Sequence, residues 1–509
     1  MDQQLALEVM LSGHNVFLTG PAGSGKTYVL NQFITQAKHA KKHVSVTATT
    51  GLAATHIGGN TIHSWSGIGV HDELSNDFED YLLKSRRDII ELTDVLVIDE
   101  ISMMHDYRLD MVDKVARVVR QDERPFGGIQ VVLCGDFFQL PPINRAEGKR
   151  GSFVVRSQSW ARLDPVICYL GEQHRQDDEA LLAILNALRR GDIRRGHAEQ
   201  LLRRVGAELD DDRATELHTT NVDVDRINNT RLTMLEGEAY VYEATTTGAE
   251  NYVATIKRSC LAQEKLVLKQ GALVMAIKNS PERKYANGSI GTVIGFDVLT
   301  NYPIVEFRNG KTVTMKLDTW ELRDGDKKRA GLTQIPLRLA YAITVHKSQG
   351  MTLDAARIDL RRAFVEGMGY VALSRVRSLE GLSLIGINRM ALRISEEALR
   401  IDEVLRKKAC DDHARFEYLR KAAIRREKNE VKNTADKQKK ASIWTERLEK
   451  MRKKHPNAYR PWSDSDDTEL KMLFQNGTDL KTLSKKFGRH ERSILLRLQK
   501  HFGEDAVTL

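Results

Sequence analysis

Cysteine is scarce in this chain: there are four in 509 residues. None of Cys134, Cys168, Cys260 and Cys410 stands in a C-x-x-C spacing, which argues against a disulfide framework, a thiolate zinc site and an iron–sulfur cluster. Each reads as a small core or surface residue. No run of about 18 apolar residues supports a membrane span, and Met1-Asp2-Gln3-Gln4 lacks the charged-then-apolar pattern of a cleaved leader. A soluble, intracellular protein is expected. Glu396 to Lys454 contains neither proline nor glycine and is dense in Ala, Glu, Lys and Arg. It should be largely helical, and its sparse apolar positions sustain no heptad, so it reads as a solvated helical spacer.

Acidic excess is missing as well: the net charge is +9. Arg406 to Arg460 holds 19 Lys/Arg against 8 Asp/Glu, so the remainder of the chain carries a net −2. An anionic partner is implied for that one segment, which could hold a polyanion by counterion release. The length exceeds what a single core can organise and predicts about three or four domains.

Gly20 to Thr27, GPAGSGKT, fits the phosphate-loop pattern G-x-x-x-x-G-K-[ST]. Gly20, Gly23 and Gly25 let the backbone turn tightly through Pro21 and aim the amides of Ala22-Gly23-Ser24-Gly25 and the following helix start toward a polyphosphate. Lys26 would reach the β- and γ-phosphates of ATP, and the Thr27 hydroxyl would ligate Mg²⁺. Asn15 to Leu18 reads as a buried strand and Tyr28 to Ala40 as a helix, the order this motif requires. Upstream, Gln3 has an amide that could read an adenine edge.

His43 to Thr47 reads as the next strand. It runs into Thr47 to Gly69, a loop of hydroxyl residues and glycines, Thr49 among them, able to approach a phosphate backbone. Val95 to Glu100 is a buried strand ending in two carboxylates: Asp99 would hold Mg²⁺, and Glu100 would orient or deprotonate the attacking water. Ile129 to Cys134 is a further strand, followed by Gly135 to Pro142, where Gln139 could sense the γ-phosphate.

The runs GPAGSGKT, TIHSWSGIG, VLVIDEISM and PFGGIQVVLCGDFFQLPP, with Gln173 to Gln176, AYAITVHKSQGMTL and GYVALSRVRSLEGL, resemble the Pif-type helicases. This is the 5′-to-3′ branch of helicase superfamily 1, which also includes RecD and Dda. The resemblance covers about residues 1 to 395. It implies an α/β fold with two RecA-like domains, 1–168 and 169–395, and ATP with Mg²⁺ in the cleft between them. It further implies Arg175 and Arg375 as arginine fingers on the γ-phosphate, which would couple cleft closure to hydrolysis. Residues 66–91 correspond to a small wedge. Residues 221–331, with alternating apolar runs and Asn-Gly turns, read as a β-barrel similar to the family's SH3-like insertion.

In Thr344 to Gly350, His346 and Lys347 can touch phosphates while Gln349 and Gly350 face the nucleotide. His63, Trp65 and Tyr341 are candidates for stacking on single-stranded DNA, with a core role open for Trp65 and Tyr341. Past the spacer, residues 457–509 read as three short helices that resemble a Myb-like helix-turn-helix. Its last helix would offer Arg489, Arg492, Arg497 and Lys500 to DNA. The expected activity is ATP-dependent 5′-to-3′ translocation on single-stranded DNA with unwinding of duplexes and forks. The family resemblance adds G-quadruplex DNA. A DNA-stimulated ATPase that remodels nucleoprotein, and a DNA-binding module positioned by the motor, are the alternatives. RNA as tracking strand stays open. A bacterial or phage source is favoured.

Overall fold

The computed structural model describes residues 1–69, 72–75, 78–142, 151–172, 178–209, 214–260, 262–278, 280, 284–285, 289–324, 327–426 and 448–503. Arg175, and the parts of the expected wedge, barrel turns and basic segment that fall between those ranges, lie outside the described residues. Two compact units emerge, Met1–Ala423 and Ile424–Leu509.

The first unit opens on a six-stranded parallel sheet. Its strands are β1 (Val16–Thr19), β2 (Val44–Ala48), β3 (Asn60–Thr61), β4 (Val95–Asp99), β5 (Gln130–Cys134) and β6 (Val166–Tyr169), in the order β3-β2-β4-β5-β1-β6. β1, β4 and β5 are buried along their whole length, as expected of strands covered by helices on both faces. The phosphate loop leaves β1 and the acidic pair leaves its neighbour-but-one β4, so the carboxyl edge of the sheet gathers both. The helix Gln3–Leu11 is N-capped by Asp2, whose side chain accepts from the Leu5 amide at 2.9 Å.

A second parallel sheet runs in the order Ala342–Thr344, Thr215–His218, Ala356–Leu360, Leu382–Ile387. The helix Asn221–Thr233 packs on this sheet: the Asn228 amide donates to the Ala342 carbonyl at 2.9 Å, and its oxygen accepts from the Ala342 amide at 3.0 Å. The expected barrel boundary at 221 therefore moves. Antiparallel strands begin at Tyr240, and a five-stranded antiparallel sheet ends on Leu337–Leu339, beyond residue 331. Its core is Leu266, Leu268, Val274, Val293, Val305, Phe307 and Leu337.

The spacer reading fails for its first half. Glu396–Phe416 is a helix of 21 residues whose Ala398, Ile401, Leu405, Ala409, Asp412 and Phe416 form a buried stripe at three- and four-residue steps. That stripe lies against the first sheet. The Asp412 carboxylate accepts from the Ile167 amide of β6 at 2.8 Å, Asp402 accepts from the Tyr169 hydroxyl at 2.8 Å, and Phe416 joins the core around Leu18, Val166 and Cys168. Arg406 pairs with Asp402, Lys408 with Asp164, and Arg420 with Asp2 and Glu417, so these cations are already answered within the protein.

The second unit contains the helices Asp464–Gln475, Leu480–Phe487 and Glu491–Phe502, within two residues of their expected ends. Leu470, Leu483, Phe487, Ile494, Leu495 and Leu498 are its core, and Gly488 ends the second helix at φ 59°. Arg489, expected on DNA, is instead 4% exposed. It lies 4.2 Å from the centre of the Trp462 ring and donates to the carbonyls of Arg460 and Pro461. Arg497 is bound to Asp467 and sits over the same ring. Both are structural here, because their donors are used inside the unit. Arg492 and Lys500 are exposed. Among the described residues no helix is long and apolar enough to cross a membrane.

Candidate active site

The phosphate loop takes its shape from its glycines. Gly20 has φ 147°, and a Cβ there would lie 2.4 Å from the Leu170 carbonyl oxygen; Gly25 has φ 83°, and a Cβ there would meet the Gln3 amide at 2.2 Å. Gln3, legible only as one polar residue near the start of the chain, is thus laid directly on the loop, donating to the Ser24 carbonyl at 3.0 Å. Lys26 donates to the Gly20 and Pro21 carbonyls at 2.9 and 3.0 Å, and burial lowers its pKa. Ser24 Oγ is buried and, among the described residues, has no partner. A loop with an orphaned hydroxyl, aimed amides and an ammonium returned to its own carbonyls fits a polyphosphate, which would supply the missing acceptors.

A cavity of about 380 Å³ lies on this loop, lined by Ala22, Gly23, Gly25, Lys26, Thr27 and Tyr28 from the first sheet's side, with Gln139. The second sheet's loops contribute Gly350, Thr352, Arg375 and Arg377. A smaller cavity of about 230 Å³ brings Thr27, Asp99 and Glu100 together with His346, Lys347, Gln349 and Gly350. Thr27 lines both. A hydroxyl and a carboxylate facing one space are the hard oxygen donors that Mg²⁺ takes, so the residues fit the ion.

Glu100 stands in the left-handed region, φ 52° and ψ 42°, which turns its carboxylate out of the strand line. Three contacts hold it there. Its amide donates to Asp99 at 2.8 Å, its carbonyl accepts from the Thr49 hydroxyl at 2.8 Å, and its carboxylate accepts from the Gln349 side chain at 2.8 Å. Burial, with Asp99 close by, pushes the Glu100 carboxyl up to about 7; burial also raises Asp99. The same Gln349 amide donates to Gln139 at 3.0 Å. One side chain from the second sheet therefore contacts both the carboxylate expected to activate water and the residue expected to sense the γ-phosphate.

Three sequence expectations need correction here. Thr49, expected on DNA, is 9% exposed, and its hydroxyl is spent on Glu100. Trp65, a stacking candidate, is 3% exposed inside the first sheet's core. His63 binds Arg108 at 2.9 Å, and burial with that guanidinium lowers its pKa to about 4, so the ring is neutral and committed. Arg375 does line the larger cavity, yet it is 1% exposed and donates to the Val371 carbonyl and the Ser374 hydroxyl, both at 2.8 Å.

Sequence reading missed a buried network behind the loop. Asp136, fully buried, takes two 2.7 Å bonds from one nitrogen of Arg189, whose other terminal nitrogen donates to the Tyr169 hydroxyl at 3.0 Å. Tyr370 donates to Asp136 at 3.4 Å and accepts from the Ala22 amide of the phosphate loop at 2.9 Å. Arg189 lies 4.2 Å from the Phe138 ring centre. Asp136 and Tyr370 sat inside recognised motifs, but nothing local marked their partners.

The family model for PIF1-like helicases matches residues 2–192. An ATP-dependent DNA helicase Pif1 from Psychrobacter is 40% identical over 486 residues, covering 83% of this chain and 73% of the relative. The chain belongs to the PIF1-like helicase family. Vertebrate PIF1 relatives are longer, and the chain spans about two thirds of their length. The crystal structure of Pif1 helicase from Candida albicans matches with TM-score 0.69 at 34% identity, over 79% of this chain and 98% of that one. Pif1 from Bacteroides in complex with ADP-AlF3 and ssDNA matches with TM-score 0.58 at 31% identity, over 79% and 96%. These matches reach the level of the PIF1 helicase body.

Proposed function

We propose that this PIF1-like helicase hydrolyses ATP to translocate 5′ to 3′ along single-stranded DNA and to separate the duplex or fork ahead of it. The observation that carries this reading is the cavity lined by Lys26, Thr27 and Gln139 on one side and Gly350 and Arg375 on the other. Two RecA-like domains, a barrel insertion and a C-terminal DNA-binding unit are the architecture that goes with it. The Bacteroides relative bound to ADP-AlF3 and ssDNA supports both ligands.

Lys26 gives up its loop carbonyls to hold the ATP phosphates, and Gln3, which rests on the same loop, turns its amide to the adenine. Thr27 and Asp99 would hold Mg²⁺, which would neutralise phosphate charge. Glu100, basic near neutral pH, takes the proton of the attacking water, and Gln349 aims its carboxylate. Arg375 and Arg175 stabilise the charge that develops on the γ-phosphate, and Gln139 reports its presence. His346 and Lys347 contact the DNA backbone, while Arg492 and Lys500 are the cations left open on the last helix.

Two matched duplexes test the reading, one with a 5′ single-stranded tail and one with a 3′ tail. Unwinding of the 5′-tailed duplex alone supports motor and polarity together. DNA-stimulated hydrolysis with unwinding of neither would replace the helicase with the remodelling ATPase.

A further inference from the structure

Arg338 is a buried cation that the protein leaves unanswered. It lies on Leu337–Leu339, the strand that pairs with Leu273–Ala276 at the margin of the barrel sheet. Leu337 and Leu339 enter the barrel core, so alternation along the strand sends Arg338 to the other face. The residue is 5% exposed, and among the described residues its guanidinium has no hydrogen-bond acceptor, with Nε enclosed. The other deeply buried arginines differ. Arg189, Arg375 and Arg489 each donate from both terminal nitrogens to protein oxygens. Leaving a buried guanidinium without acceptors is costly, and a site that tolerates it is one where a ligand brings the oxygens.

Its neighbour is a second cation. Lys347, in the turn after Ala342–Thr344, is half-buried, and its pKa is lowered by burial and then by the charge of Arg338. Asp225 is the carboxylate that acts on both charges, and among the described residues it forms an ion pair with neither. An enclosed guanidinium whose planar donors meet no acceptor among the described residues, with a lysine charge acting on it, makes an anion site of the chemistry a phosphate takes. What lies beside Lys347 indicates the kind of phosphate. The ring of His346 is parallel to that of Phe364, with centroids 6.3 Å apart and planes at 18°, and Phe364 is 62% exposed. An open aromatic face next to a phosphate site is how single-stranded nucleic acid is held.

We propose that Arg338 and Lys347 jointly bind one backbone phosphate of the tracking strand, with Phe364, backed by His346, as the stacking face for an adjoining base. This rests on the helicase reading and deepens it: the barrel, through Arg338, shares the DNA path with the second parallel sheet.

Equilibrium binding of a labelled oligo-dT to the full chain, without nucleotide and over a series of salt concentrations, tests it. Arg338→Met should weaken binding about tenfold and reduce the slope of log K against log salt by about 0.7, one phosphate contact on a single strand. Arg338→Lys should keep the slope while recovering part of the affinity, since a point charge replaces a planar fork. Phe364→Ala should lower affinity with the slope unchanged. An Arg338→Met protein of native melting temperature with unaltered affinity and slope overturns the proposal. So does a change confined to the KM for ATP, which would assign the pair to a nucleotide phosphate. If Arg338→Met does not fold, Lys347→Ala and Arg338→Lys carry the test, and no loss of slope in the first with no loss of affinity in the second overturns it. Binding is read without unwinding, so a failed tailed-duplex assay would sink the motor reading and leave this result standing.

Discussion

The hydroxyl of Tyr370 accepts a hydrogen bond from the backbone amide of Ala22, joining a helix of the second sheet to the phosphate loop of the first. The donor belongs to the loop that must fit the nucleotide, so the bond helps set the loop's resting shape. Tyr370→Phe removes the acceptor of this buried bond. A cost of about 1–3 kcal/mol and a several-fold rise in the KM for ATP are expected. Thermal melts and steady-state hydrolysis read the two effects separately; a variant with both unchanged would show that the bond does not shape the loop.

Arg189 and Asp136 are both almost wholly enclosed, and each is the other's main counterion. Arg189→Met strands the Asp136 charge and should cost about 3–5 kcal/mol. Adding Asp136→Asn should recover part of that loss, because the stranded charge disappears. Denaturant unfolding of the single and double variants measures the recovery, and a double variant less stable than the single would contradict it.

Glu100 has a sign that can be worked out. Its carboxyl is raised to about 7 in the folded protein, from an ordinary value of 4.5. The folded state therefore binds the proton more tightly, and Glu100 reduces stability as pH rises from 4.5 through 7. Glu100→Gln should match the parent's stability below about pH 4.5 and exceed it by roughly 1–3 kcal/mol at pH 8. The same variant should bind ATP and hardly turn it over. Melting curves across pH check the first expectation and single-turnover hydrolysis the second; normal turnover would remove Glu100 from its role.

In the C-terminal unit two arginines that look alike in sequence should behave differently. Arg489→Ala should lower the unit's melting temperature, since it strips donors from two carbonyls and a cation from the Trp462 face. Arg492→Ala should leave melting untouched and weaken DNA binding. Equal effects on both readouts would erase the distinction.

The phosphate loop and the acidic pair were legible because each is a contiguous word: its residues act within one turn of backbone, so spacing alone encodes the chemistry. The helical spacer was misjudged for a related reason. Ala398, Ile401, Leu405 and Ala409 are spaced for a buried face, but charged residues crowd between them, and the surface they cover lies more than two hundred residues away. Trp65, open between core and stacking in sequence, fills core, and Thr49, in the hydroxyl-rich loop expected on DNA, steadies Glu100. The network of Ala22, Tyr370, Asp136 and Arg189 joins residues up to 348 apart, and no local pattern announces such a meeting.

The helix Glu396–Phe416 also dictates an order of events during synthesis. β6 is an outer strand, and the Ile167 amide turned away from β1 is answered by Asp412, 245 residues later. Until that helix leaves the ribosome, the nascent sheet presents an open backbone edge and the uncovered apolar patch that Phe416 will seal, the conditions under which strands pair with the wrong neighbour. Chains truncated at the last helicase motif would keep that edge open permanently, so aggregation, and not loss of any catalytic group, is their expected failure.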